Sequence, residues 1–241
     1  MDWKHNLRTN GYHLFPRLAS QELVERARLA IDHDIQINYD KSRQSEYDHQ
    51  SYCPNLRKSP AISDLLIKSP IYNILDEAFG WENIKEFSGG QIAIRQAHNA
   101  DSSRPPKWHI DGIPSPYNGL KGTKIQNFSA LVGVFLTPVN SLYSGNFTVW
   151  PCSHHKLEKY FRDRGPVAMN EGFPKIDLLE PPLQLQCQAG DIVLCHYELG
   201  HAAAVNISDN DRIAIFFRIW LKNNGEHQWK MLTNIWTGWK I

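Results

Sequence analysis

By its spacing of apolar and polar positions, the chain divides into a helical first third and a strand-rich remainder. Leu23, Ala27, Ile31 and Ile35 recur at helical spacing behind Ser20, which can cap the first turn, and Glu22 lies inside that turn. Ser59-Pro60 and Ser69-Pro70 each set a capping serine before a proline suited to the first helical position. Ile62, Leu65 and Leu66 continue the first of these helices, and Ile71, Ile74, Leu75 and Ala78 carry the second to Gly80. Residues 1–18 read as an extended lead-in, with 11–15 a short strand closed by Pro16. Residues 38–55 are polar and without period, which predicts a long loop able to cover a site.

After Trp81 the period becomes two. Residues 90–96 alternate, 130–136 form a more buried run, and shorter strands are predicted at 147–150, 183–186, 191–194 and 202–205. From 212 to 222, Ile213, Ile215, Phe217, Ile219 and Leu221 mark one face. Strands at this spacing predict a sandwich or barrel, with the helices packed outside one curved sheet. No repeat or linker divides the 241 residues, so the expectation is a mainly β fold with flanking helices, one domain over 1–241.

Composition narrows the function. A net charge of +1 with scattered basic residues argues against a nucleic-acid or anionic-membrane partner. No run approaches the roughly 18 apolar residues of a membrane helix, and the first residues lack the apolar core of a secretory signal. Cys53, Cys152, Cys187 and Cys195 show no paired spacing and read as reduced thiols, so a cytoplasmic location is expected. Eleven histidines and eight tryptophans are more than such a chain needs for packing, and they point to a site.

His109 and Asp111, two apart on a strand, would project to one side and could share a metal ion. Alone, such a pair is weak. His201, just after Gly200, supplies a third donor, and two imidazoles with one carboxylate leave open positions, as in non-haem Fe(II) oxygenases. His196 is its rival. Eleven residues beyond His201 stands Arg212, whose planar fork matches a carboxylate. If 206–211 is a hairpin loop of even length, His201 and Arg212 face one side of one sheet. The 13–20 Å of strand that this implies, at roughly 3.3 Å per residue, suits a short dicarboxylic acid reaching the metal. The plainer reading of Arg212 is an exposed hairpin residue paired with Asp209 or Asp211. Gln91 and Arg95 share one face of the preceding strand, and either a cosubstrate or substrate contact or a half-exposed polar face explains them. Trp108 should point away from His109 into packing.

Together these residues resemble the phytanoyl-CoA dioxygenase family of Fe(II)/2-oxoglutarate-dependent oxygenases. Residues 11–15 ahead of a helix resemble the family's opening. Residues 144–154 resemble its Asn-Gly to Pro-Gly-Ser-His segment, and 189–193 resemble the strand leading to the distal histidine. The resemblance implies a double-stranded β-helix (jelly-roll, cupin-like) core, with His109, Asp111 and His201 as iron ligands and Arg212 as the 2-oxoglutarate clamp. It implies O2 as the other cosubstrate, succinate and CO2 as products, and hydroxylation of an unactivated C–H bond of a small molecule. Related halogenases lack the carboxylate supplied here by Asp111, which favours hydroxylation. Two positions depart from the pattern. Ala203 stands where some members place a serine or threonine, and Cys152 replaces the glycine of Pro-Gly-Ser-His. Both leave the metal set alone and put details of the cosubstrate pocket in question.

Two other readings use the same residues. A zinc hydrolase or isomerase would also suit His and Asp ligands, but it has no general need for Arg212. A non-catalytic jelly-roll module binding a small ligand would not need the complete set. Substrate choice is expected to lie with residues 38–55 and 162–182.

Overall fold

The computed structural model describes residues 2–87, 89–100, 102–114, 124–178 and 181–241. Its first element, α1 (Trp3–Asn10), occupies the stretch expected to be extended. Asp2 caps it by accepting from the Lys4 N–H, and Gly11, at φ 83°, closes it with an N–H to the Leu7 carbonyl. Only Leu7 is buried, so this helix writes no apolar repeat into the sequence. The short strand β1 (Tyr12–Phe15) follows as expected. Next comes α2 (Gln21–Asn38), capped by Ser20 and burying Leu23, Val24, Ala27 and Ile31.

Residues 38–55 are not a loop. They hold a 3-10 turn (Lys41–Arg43), α3 (Gln44–His49) and another 3-10 turn (Pro54–Leu56). Local polar bonds build this segment: Asp40 accepts from Ser42, and Arg43 forks onto Glu46. Such bonds leave no hydrophobic period to read. Helix α4 (Pro60–Ile67) starts at the expected proline, whereas α5 (Ile71–Phe79) starts one residue later, with Pro70 at its cap position, and stops at Gly80, φ 74°. Neither expected serine cap forms: Ser59 makes no cap bond, and Ser69 donates instead to the Leu65 carbonyl.

The remainder supplies β2 (Gln91–Arg95), β3 (Ala130–Phe135), β4 (Phe147–Val149), α6 (Ser153–Arg164), β5 (Leu183–Gln184), β6 (Ile192–His196), β7 (His201–Ala203), β8 (Arg212–Ile219) and α7 (Gln228–Thr233). They form two antiparallel sheets, one ordered β1-β6-β3-β8-β2 and one ordered β5-β4-β7. The fold is mixed α/β, not mainly β. The second sheet has strands of only two or three residues, and α6 and α7 add helix that the patterning did not signal.

The large sheet separates two cores. On one face Ile92, Ile94, Val132, Val134, Ile213 and Ile215 pack against α2, α4 and α5. On the other, Leu131, Val193, Ala214 and Phe216 meet Phe147 and Val149 of the small sheet. Alternation along β8 therefore sends its odd-numbered residues to the helices and its even-numbered residues between the sheets. No helix among the described residues is long and apolar enough to cross a membrane.

Candidate active site

Between the sheets opens a cavity of about 880 Å³ whose wall includes Gln91, Arg95, His109, Asp111, His201, Phe147, Arg212, Phe216 and Arg218. Every site residue picked from the sequence lies on this wall. The route by which they meet differs from the expected one. Residues 109–111 are not a strand. His109 makes a single antiparallel bridge with His201, each N–H donating to the other's carbonyl at 2.9 Å. A bend then turns Asp111 inward. Gly112 (φ 84°) allows it, because a Cβ there would stand 2.3 Å from Asn127 Oδ1.

One donor atom from each of His109, Asp111 and His201 lies within 4.8 Å of the others. Their surroundings fit a cation. His201 Nδ1 is 2.9 Å from the Leu199 carbonyl, which can only accept, so Nδ1 carries the proton of the neutral ring and Nε2 is the nitrogen left to bind a metal. Burial, with His201 adjacent, pulls His109 down to about 3, so it stands neutral with a lone pair to give. Burial alone would raise the Asp111 carboxyl, but Arg218, with His201 and His109 behind it, holds it below the usual carboxylate range. Two imidazoles and one carboxylate are the donor set that a divalent ion such as iron takes.

Arg218 was not singled out by sequence reasoning. Its Nε and Nη2 reach Asp111 Oδ2 at 2.9 and 2.8 Å, and Nη1 donates to Gln91 Oε1 at 2.9 Å. Asp111 Oδ1 is left facing His109 Nε2, 3.8 Å away. The available signal was parity: Arg212 and Arg218 are the charged residues of a strand whose other face is wholly apolar.

Arg212 is 2 % exposed and pairs with neither Asp209 nor Asp211. Its Nε donates to the Gly145 carbonyl at 2.7 Å and Nη1 to the Ala93 carbonyl at 3.1 Å, which leaves the rest of the guanidinium free for a ligand. Burial, then the neighbouring Arg95, brings it down to about 9, still a cation at neutral pH. Gly145 (φ 72°) is needed where it stands, since a Cβ would lie 2.7 Å from Arg95 Cβ and 3.1 Å from Arg212 Cβ. His201 and Arg212 do not share a sheet: β7 lies in the small one and β8 in the large one. The eight residues between the two strands, 204–211, carry the chain across, and the sheets' facing surfaces bring both side chains to one cavity.

His196 is excluded as a ligand. Its Nε2 meets the Ile235 carbonyl at 2.9 Å and its Nδ1 accepts from the Glu198 N–H at 3.1 Å. His154, buried in α6, contacts the Arg8 carbonyl, and Trp108 packs against Phe173. Of the two expected selecting segments, 38–55 contributes Asp48 and Gln50 to the cavity. No described residue of 162–182 lines it.

Residues 7–214 match the profile of the family described as phytanoyl-CoA dioxygenase (PhyH). The chain belongs to the phytanoyl-CoA dioxygenase family. Among solved structures, HygX from Streptomyces hygroscopicus with nickel and 2-oxoglutarate bound superposes with a TM-score of 0.62 at 16% identity, covering 91% of this chain and 86% of that one. The non-heme monooxygenase ThoJ in its nickel complex gives 0.60 at 21%, covering 91% and 77%. The non-heme alpha ketoglutarate dependent carbocyclase SnoK from nogalamycin biosynthesis gives 0.58 at 19%, covering 91% and 82%. At these identities the likeness is one of fold. No curated protein sequence matches this phytanoyl-CoA dioxygenase family member.

Proposed function

We propose that this chain, as one unit, is an Fe(II)/2-oxoglutarate-dependent oxygenase that hydroxylates an unactivated C–H bond of a small molecule. The observation that carries the reading is the convergence of His109, Asp111 and His201 with a buried Arg212 on one cavity wall. We read the two facing sheets as the double-stranded β-helix core of the family. His109 Nε2, His201 Nε2 and Asp111 Oδ1 would hold the iron, and Arg212 would hold the far carboxylate of 2-oxoglutarate. Iron so bound supplies oxidative decarboxylation of 2-oxoglutarate by O2, giving succinate and CO2 and oxidising the substrate.

The chain's own residues set the conditions for that chemistry. The Leu199 carbonyl fixes the tautomer of His201. Arg218 keeps Asp111 ionised and turned. Gly145 and Ala93 carbonyls aim Arg212 before any ligand arrives. Phe147, Phe216 and Leu131 line the cavity with apolar surface that would keep water from its reacting end. A buried arginine that meets no carboxylate among the described residues also weighs against the zinc hydrolase reading, which has no use for it.

Anaerobic addition of Fe(II) and 2-oxoglutarate should produce a weak visible charge-transfer band. No band, together with no succinate under oxygen, overturns the proposal. Arg212→Ala should keep its iron and lose at least about tenfold in 2-oxoglutarate affinity, since a hydrogen bond between charged groups contributes about 1.5–3 kcal/mol. Equal affinity in variant and parent would remove Arg212 from its role.

A further inference from the structure

Resting on that assignment of the iron and 2-oxoglutarate site, we infer that the cavity takes an anionic substrate, an organic acid or a phosphate or sulfate ester with an apolar body. The argument starts from charge. Fe(II), Arg212 and Arg218 carry one positive charge more than Asp111 and doubly charged 2-oxoglutarate offset, so the catalytic half of the cavity offers a further anion no repulsion when loaded. Arg218 is committed to Asp111 and Gln91. The wall still carries Arg57, Arg95, Arg104 and Lys107, none of which meets a carboxylate among the described residues. The remaining acid on the wall, Asp48, accepts from the Tyr52 hydroxyl and the Gln44 amide instead.

This excess is local. The whole chain has a net charge of +1, so the cations at the cavity do not reflect a basic protein. Stability does not account for them either. Arg95 and Arg212 are direct cross-strand partners, and like charges placed so are destabilising. These cations are half-exposed or exposed, unlike the buried Asp111 and Arg212. Arg57 sits beside Gly90 at one end of β2, its Nε 3.4 Å from the Gly90 carbonyl, and Arg95 ends the same strand. Asn206 joins that end to the segment leading to Arg104: its amide donates to the Arg95 carbonyl at 2.8 Å, and its N–H donates to Asn99 Oδ1 at 2.7 Å. Phe147, Phe216 and Leu131 line the same cavity as the metal donors. A substrate with its acid end toward the guanidiniums would lay an apolar C–H on that floor, since planar guanidinium forks match carboxylate and phosphate oxygens.

The test is calorimetric titration, under argon, of enzyme loaded with Fe(II) and saturating 2-oxoglutarate, using sulfate and acetate as probes. Chloride at matched ionic strength controls for screening. At least one probe should bind where chloride does not: acetate the tighter for a carboxylate substrate, sulfate for an ester of a mineral acid. Affinity should fall about tenfold or more in Arg57→Gln/Arg104→Gln, with the charge-transfer band reporting that the variant is folded and loaded. Arg104→Gln alone, at an exposed position, should show a smaller loss in the same direction. Probes no better than chloride, or equal binding by parent and double variant, overturn the inference while the band leaves the oxygenase reading intact. Absence of the band in the parent overturns that reading first, and this inference with it.

Discussion

At Asp111 one carboxylate serves two partners. Arg218 holds Oδ2 and leaves Oδ1 toward the histidines. Without metal, Arg218 is the countercharge that lets a buried carboxylate stay ionised, whereas in the loaded enzyme the metal shares that task. Removing one member of a buried pair strands the other's charge. Arg218→Ala should therefore lower the melting temperature of the metal-free protein more than that of the metal-loaded protein. Equal losses would show that Arg218 serves packing alone. A second residue lacks any such partner. Both carboxyl oxygens of Glu198 are buried without a hydrogen bond, and burial, then Glu158, pushes its carboxyl well above the usual range. The sign follows directly. Below the unfolded value of about 4.3 both states are protonated and stability is full. As pH rises past it, only the unfolded chain readily releases the proton, and stability falls. Glu198→Met, similar in length and without polar oxygens, should raise stability at pH 7 by about 1–3 kcal/mol, with the gain shrinking toward pH 4 in urea titrations. A gain that persists at pH 4 would count against burial of the charge as its cause.

At the scale of elements, legibility followed the apolar period. α2, α4 and α5 and strands β2, β3 and β8 were readable because each buries a regular stripe. α1, α3 and α6 were not, because caps, ion pairs and a few buried side chains hold them. In the site, the spacing from His201 to Arg212 was informative and the sheet assignment drawn from it was wrong, since an even loop can cross between sheets as well as turn within one. The register of β3 adds a constraint no pattern carries. Gly133 lies opposite Phe216 and Val193, and a Cβ there would stand 2.7 Å from the Phe216 ring and 2.9 Å from Val193 Cγ1. Gly133→Ala gains about 0.4–1 kcal/mol from the stiffer unfolded chain. Overpacking of about 1–3 kcal/mol should outweigh it. The expected result is a lower urea midpoint and a displaced Phe216 ring on the cavity wall. An unchanged or higher midpoint would mean that the two strands part more easily than their packing indicates.

Across the whole molecule, the site is assembled from both sheets and from the segment that carries His109, so filling it should tie these parts together. Arg218 on β8 reaches Asp111, while His109 bridges His201 on β7, and a metal would close this loop between the sheets. A ligand that binds only the native state stabilises by about 2.7 kcal/mol at 100 times its dissociation constant. For a chain of this size each kcal/mol moves the midpoint by about 2–4 °C. Saturating divalent metal with 2-oxoglutarate should then raise the melting temperature by about 5–11 °C. The shifts should also be ordered. Metal alone should act, because its donors are preformed, whereas 2-oxoglutarate alone should do much less, because one of its two anchors is the metal. In Arg212→Ala the increment from 2-oxoglutarate should disappear and that from metal should remain. If 2-oxoglutarate stabilises the metal-free parent as much as the loaded one, Arg212 and the histidines do not act on a single bridging ligand, and the distance between β7 and β8 has another purpose.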